Sequence, residues 1–572
     1  MLTRTATPLL RSTTPRRGFA SRPHPLERRA TPSGPVTATP ARPGLKRPVQ
    51  RFSALSLVLL STLVGSSTYA IGRLAGVSAA EEAKEDKVYR EPTAEGFEKA
   101  MSEIQGWLPE DCLATDRDTL VDHGYNEWED VVQIVKTASK HSIPLIPYCA
   151  GTSLEGHTTA LGYPNNPSEK SAHDKLARDG HVSVDDLAPG LALVLDFSEN
   201  MNNILAIHPE DLDAVVQPGI SYDALNAELR ERNIPLFFPV DPAPGAQIGG
   251  MIGTGASGTN AVRYGTMRDN VLNLTVVLPS GEVIKTRQRA KKSSVGPDLS
   301  RLFIGAEGTL GIVTEATLKL SPALPTTVAV SSFPTIASAA AAARDLVQNG
   351  ISLACIELLD DVMVDATNKE SKVRQWPVKP SLFLKFSGTP EQMKLDIERT
   401  RKITNSNSGS NFTFARTDKE ADEIWHSRKI ALWSAIEYVK GAKCWVTDVC
   451  VPLSRFPELI AETKADIEKE GIKGPIVSHA GDGNFHALLL FRTDEELKKV
   501  ERLVHNMVER AQRMDGTATG EHGVGIGKKP YVENELGAGT VELLREIKRV
   551  IDPQNIMNPG KLIPDRQDAA AH

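Results

Sequence analysis

The chain has 572 residues and a formal net charge of −6. That length exceeds one ordinary core and predicts two or three domains, while the charge lacks the basic excess that nucleic-acid binding draws on. Five cysteines, Cys112, Cys149, Cys355, Cys444 and Cys450, form no CxxC pair, which argues against an iron–sulfur cluster, a zinc knuckle or a redox dithiol and for reduced, buried thiols.

Residues 1–51 are rich in arginine, proline, serine and threonine and hold one acid, Glu27. That is the composition of a mitochondrial presequence. The stretch FSALSLVLLSTLVGSSTYAIG, residues 52–72, is uncharged over 21 residues, long enough to span a bilayer. Arg47 and Arg51 precede it; Arg73 ends the anchor segment 52–73, and Glu81, Glu82, Glu85 and Asp86 follow. The positive-inside bias would keep the N-terminal side in the matrix and place the body in the intermembrane space, tethered to the inner membrane. Residues 74–95 read as a charged linker.

From residue 96 helical and strand patterns alternate. EDVVQIVKTASKHSIPLIPY predicts a helix and then a strand. ALVLDF, AVVQPG and NLTVVL are short apolar runs bounded by turn residues, hence buried strands, and SYDALNAELRERNI has helical spacing. After residue 322 the order VAVSSF, IASAAAAARDLVQNG, SLACIELL, SLFLKFSG, EQMKLDIERTRKIT, NFTFA gives the βαββαβ pattern of a ferredoxin-like unit. A helical stretch, EADEIWHSRKIALWSAIEYV, follows, and VELLREIKRVI is a last amphipathic helix.

Three glycine-bearing segments stand apart: PYCAGTSLEGH (147–157), DPAPGAQIGGMIGTGASGTNAVRYGT (241–266) and IGAEGTLGIVTEATLKL (304–320). Small-residue turns with free amide groups can approach a pyrophosphate closely. GTGASG matches GxGxxG but lacks the strand–turn–helix setting of a dinucleotide fingerprint, and GEHGVGIGKK fails the P-loop spacing. In HAGDGNFH (479–486), GPIVS and ALLLF flank an Asp-Gly turn, which predicts a hairpin. Its two histidines would then lie near the foot of one turn, either as a metal pair or as strand caps.

GTSLEGH, VVQPG, DPAPGAQIGG with SGTNAVRYGT, and EGTLGIVTEATLKL together resemble the FAD domain of the vanillyl-alcohol-oxidase type flavoproteins. HAGDGNFH, TGEHGVGIGK and NPGK resemble the C-terminal half of the D-2-hydroxyacid dehydrogenases of that family, in particular its mitochondrial branch. The resemblance covers roughly residues 96–563 and implies an α+β protein. A two-subdomain FAD-binding domain (96–322) would precede a ferredoxin-like cap and substrate domain with a C-terminal helical part (323–563) and a disordered tail (564–572).

It further implies oxidation of D-lactate to pyruvate, with hydride transfer from C2 to flavin N5 and cytochrome c as electron acceptor. D-2-hydroxyglutarate or glycolate are the alternative substrates. FAD would rest on Ala150, Gly151, Thr152, Ser153, Gly156 and His157. Pro218, Gly219, Pro242, Gly249, Gly250, Ser257, Gly258, Tyr264, Glu307, Ile312 and Val313 would line the rest. His479, His486 and Glu521 would bind a divalent metal, zinc, manganese or iron, which acidifies the substrate hydroxyl. His522 would be the general base, and Arg428 would pair with the substrate carboxylate.

Two departures from the family stand out. About twenty residues, including a strand beside SIPLIPY, are missing after HGYNEW (123–128), and a polar insert occupies about 162–190. An incomplete FAD domain would leave an inactive, membrane-tethered protein as the competing reading.

Overall fold

The strand expected from SIPLIPY forms as β1 (Leu145–Tyr148) and pairs in parallel with β2 (Leu193–Asp196). This is a computed structural model that describes residues 93–108, 128–160, 192–371 and 373–565. The expected presequence, the apolar stretch 52–72, most of the expected linker, the region where a strand is expected to be missing and the polar insert lie outside the described residues. All of the described residues fall within one unit, Asp86–His572. Among them no helix is long and apolar enough to cross a membrane.

Helix Trp128–His141 forms because Val131, Ile134, Val135 and Ala138 recur on one face; that face is buried beside Leu145 and Leu195. At Leu145 the edge of β1 opposite β2 meets the C-terminal segment. Leu145 N donates to Ile556 O at 2.7 Å, and Asn558 N donates to Leu145 O at 2.8 Å. The segment 556–558, which leads into NPGK, thus covers the start of that edge.

The second subdomain is a five-stranded sheet built from β3 (Ile204–His208), β4 (Asp213–Val216), β6 (Val271–Val277), β7 (Val283–Lys285) and β8 (Ile312–Lys319), in the order β3-β4-β8-β6-β7. A two-residue strand, β5 (Leu236–Phe237), pairs with β9 (Ser321–Pro322). Ser221 caps helix Tyr222–Glu231 by accepting from Ala224 N, and Tyr222, Leu225 and Leu229 turn its apolar stripe into the core.

The cap carries an eight-stranded sheet. Its first four strands, β10 (Thr326–Ser332), β11 (Leu353–Leu359), β12 (Ser381–Ser387) and β13 (Ser410–Phe414), lie in the order β13-β10-β12-β11. That is the split pattern read from the sequence, with one addition: helix Asp361–Glu370, capped by Asp360, follows β11. The hairpin β16 (Ile476–His479) and β17 (Asn484–Phe491) extends the sheet from β11, and β14 (Lys443–Val446) and β15 (Val449–Cys450) pair with β17. One sheet face packs on helices Ile336–Gln348, Phe456–Glu470 and Asp494–Arg513. Alanines at 339, 340, 342 and 343, all fully buried, let the first of these helices approach closely. The other face carries Glu357 and His479.

Candidate active site

The register of the hairpin explains HAGDGNFH. His479 lies opposite Asn484 and Val477 opposite His486. Side chains alternate along a strand, so His479 and His486 share one face on a diagonal; their ring centroids are 5.5 Å apart. Both glycines are forced. A Cβ at Gly481 would fall 2.5 Å from Val262 of the FAD domain, and Gly483 has φ +78 with Val451 O 2.3 Å from where its Cβ would stand. Asn484 Nδ2 donates to Asp448 Oδ1 at 2.8 Å.

His479 Nε2 and His486 Nε2 each lie 3.2 Å from Glu521 Oε1. On the far side of each ring, His479 Nδ1 is 3.0 Å from Glu357 Oε1 and His486 Nδ1 is 3.0 Å from Thr447 O. A carbonyl only accepts, so His486 carries its proton on Nδ1; a neutral ring then presents a bare Nε2 to a carboxylate. The other oxygen of Glu521 is buried without a hydrogen-bond partner. Lone pairs converging in this way repel unless protons or a cation stand between them. Burial would push the His479 imidazole down, but Glu357 and Glu521 outweigh it and hold it well above its usual range. Burial likewise would raise Glu521, yet His479 and His486 hold its carboxyl well below the usual range. The donor set, the short distances and the acceptors behind both rings fit a divalent cation.

Asp448, His486 and His522 form a second close set. It is not a comparable cation site, because the Asp448 oxygens are already occupied. Oδ2 accepts from Thr519 Oγ1 and from the backbone amides of Glu521 and His522, at 2.8, 2.8 and 2.9 Å. Asp448 thereby pins the turn that presents Glu521 and His522. The His522 ring stacks on His486 with centroids 4.9 Å apart, and its Nδ1 is buried without a partner. Burial lowers the His522 pKa below its usual value.

Arg428 lies on the same site from helix Asp418–Lys429. Its Nε and Nη2 both donate to Glu357 Oε2, at 2.7 and 2.6 Å. The guanidinium is therefore held by Glu357, and through Glu357 it is linked to His479.

The glycine-bearing loops expected to seat the cofactor pack beside the turn that carries Glu521 and His522. Gly249 N donates to Pro218 O at 2.7 Å, and Cys149 touches both Pro218 and the space in front of Gly249 and Gly250. Gly151 has φ +61, and a Cβ there would strike the Tyr148 hydroxyl; Gly156 has φ +73. A Cβ on Gly219 would fall 1.8 Å from Phe197 O, and one on Gly258 would meet Asp241, which also holds Thr259 and Asn260. Ala150, Thr152 and Ser153 belong to the same turn, and Pro242 and Ser257 flank the Asp241 contact. Tyr264 stands edge-on to Phe237. Side-chain-poor walls of this kind suit a cofactor that the backbone approaches closely. Ile312 sends its side chain into the core at 1 % exposure, and Val313 packs partly buried against the neighbouring cluster.

The Glu307 carboxylate is held by the turn after His522. Its oxygens accept from Val524 N at 2.6 Å and Gly525 N at 2.8 Å. Its own backbone is strained, at φ +54. Asn558 of NPGK donates to the carbonyls of both His157 and Glu307, and Ile526 N donates to Glu155 O. The GEHGVGIGK turn is thus bolted to the loop PYCAGTSLEGH.

Comparison with known proteins adds to this geometry. Residues 325–562 match the FAD linked oxidases, C-terminal domain, and residues 176–287 match an FAD binding domain. The mitochondrial D-lactate dehydrogenase (cytochrome) 1 of Saccharomyces cerevisiae is 44% identical over 443 residues, 76% of this chain and 70% of that protein. The mitochondrial D-lactate dehydrogenase (cytochrome) of Arabidopsis thaliana is 43% identical over 440 residues, 76% of this chain and 72% of that protein. Among solved structures, p-cresol methylhydroxylase with substrate bound superposes with a TM-score of 0.64 at 17% identity, over 83% of this chain and 98% of that one.

Proposed function

This chain belongs to the FAD-linked oxidases, and on that premise we propose that it oxidises D-lactate to pyruvate and passes the electrons to cytochrome c. The observation that carries the reading is the convergence of His479, His486 and Glu521, with His522 stacked against them, beside the glycine-lined cofactor loops. FAD, when bound, supplies the acceptor for the two electrons and the C2 hydrogen of the substrate, and a divalent cation, when bound, supplies Lewis acidity at the substrate hydroxyl.

The chain's own residues supply the rest. His479, His486 and Glu521 would hold the cation. His522, kept neutral by burial, would take the proton from the substrate hydroxyl. Arg428 directs two of its nitrogens at Glu357, which leaves Nη1 for the substrate carboxylate. The glycine turns would seat FAD, and Glu307 and Asn558 would hold those turns against the catalytic loop. We read residues 96–322 as the cofactor domain and 323–563 as the cap.

A visible spectrum of the purified, detergent-solubilised full chain tests this reading. Flavin bands should be present and should bleach with D-lactate, not with L-lactate. A protein that stays colourless after FAD is added would refute the cofactor reading and favour the inactive one.

The relatives named above are mitochondrial. We further propose that residues 1–51 are a presequence and that 52–72 is a single anchor in the inner membrane, with the body in the intermembrane space. The arginine excess ahead of the uncharged stretch supports that orientation. Alkaline carbonate extraction of mitochondria should leave the protein in the membrane pellet. Its release into the supernatant would rule out the anchor.

A further inference from the structure

Glu357 is fully buried in the middle of β11, a strand whose other side chains are apolar apart from Cys355. An ionised carboxylate in that position is costly unless its oxygens are taken by charged or polar donors. Both are taken, by different parts of the site. Oε1 faces His479 Nδ1 at 3.0 Å, and Oε2 receives Nε and Nη2 of Arg428 at 2.7 and 2.6 Å. The pairing register sets this up, because Glu357 lies directly opposite His479 across β11 and β16.

We propose that Glu357 is the positioning residue that makes one unit of cation binding and substrate binding. By accepting from His479 Nδ1 it holds the ring's proton on that nitrogen, so that Nε2 is the one free to take the cation, and it sets the angle of the ring. By gripping one edge of the Arg428 guanidinium it fixes where the remaining nitrogen points. Acceptors behind metal-bound histidines typically change metal affinity 10–100-fold when removed. The inference rests on the reading of His479, His486 and Glu521 as a cation site.

Glu357→Gln is the informative change, since glutamine keeps the volume but can satisfy only one partner. With its oxygen toward His479, its NH2 group faces the Arg428 donors. Turned over, it donates to His479 Nδ1 and forces the proton onto Nε2, the ligating nitrogen. The test titrates Mn²⁺ or Zn²⁺ into chelator-treated, FAD-loaded full chain and follows bound metal by elemental analysis, alongside flavin absorbance and the melting temperature. The expected result is retained flavin, 10–100-fold weaker cation binding and a raised KM for D-lactate.

Equal cation affinity in variant and wild type overturns the inference while leaving the cation reading in place. A wild type that takes up no cation overturns both. Arg428 is only 14% exposed, and the single change strands its charge. The double variant Glu357→Leu, Arg428→Met removes that burden and leaves His479 Nδ1 without its acceptor, and the same drop in cation affinity is expected of it. Unweakened binding in the double variant would overturn the inference as well.

Discussion

Replacing His522 with alanine is expected to slow reduction of the flavin by D-lactate roughly 10²–10⁴-fold, the usual range for loss of a general base, while FAD stays bound. The geometry gives the reason. His522 is the one histidine of the cluster with no hydrogen-bond partner at Nδ1, and His479 and His486, not His522, converge on Glu521. It lies flat on His486, so it stands next to the point where His479, His486 and Glu521 converge. Burial keeps its pKa below the ordinary histidine value, so at neutral pH the ring is uncharged and able to accept a proton. Alanine removes the acceptor but leaves the backbone amide of residue 522 on Asp448, so the turn that carries Glu521 should survive. Stopped-flow reduction of the FAD-loaded variant makes the measurement. A rate equal to that of the wild type would remove His522 from the chemistry.

How much of this site is legible in the sequence follows from how local each contact is. His479 and His486 are readable because one Asp-Gly hairpin brings them together, and alternation along its strands puts them on one face. Glu521 and His522 came only through the resemblance, since no local pattern joins them to residues some forty positions earlier. Glu357 and Asp448 were not found at all. Each is a single acid in an apolar strand or at its end, LACIELL and WVTDV, and only the pairing of β11 with β16 and of β15 with β17 reveals what each one meets. The glycines of HAGDGNFH look like plain turn chemistry in the sequence; the approach of Val262 from the FAD domain is what excludes a side chain at 481. The sequence points Arg428 at the substrate and Glu307 at the cofactor but hides the tether each one has, Glu357 for Arg428 and the amides of Val524 and Gly525 for Glu307.

The fold was legible for similar reasons. The βαββαβ order of the cap can be counted from periodicity, and the helix Asp361–Glu370 escaped because DVMVDATNKE carries a short apolar stripe among acids and polar residues. At β1 the sequence points to a missing neighbour strand but not to what stands on that edge. Among the described residues, the partner that Leu145 finds on that edge lies more than 400 positions later, at Met557, and composition cannot disclose it.

Asp448→Ala is expected to be as damaging as loss of a ligand, because its carboxylate holds the turn that carries Glu521 and His522. Its carboxylate is fully buried and gathers four donors: Asn484 Nδ2, Thr519 Oγ1 and the amides of Glu521 and His522. Burial alone would raise its pKa, but His522, then His486, and the amide bond from His522 outweigh it, and the carboxyl is lowered to about 2. A depressed folded-state pKa means that this stabilisation is complete above the unfolded value of 3.8 and is lost as pH falls toward 2. Near neutral pH the charge is therefore fully in place. Alanine strands several buried donors at once, each costing about 1–3 kcal/mol when left unmade, and water admitted to the space offsets part of that. A net loss of about 3–5 kcal/mol is expected, comparable to breaking a buried ion pair. The turn 519–522 would then no longer aim Glu521 at the two histidines. Cation content should fall, and flavin reduction by D-lactate should slow at least as far as in the His522 variant. Asparagine is not a conservative rescue, because its NH2 group would face the amides of Glu521 and His522 or the side chain of Asn484. An alanine variant with the melting temperature, cation content and reduction rate of the wild type would show that the turn holds its shape without Asp448, and the account of how Glu521 and His522 are positioned would fall with it.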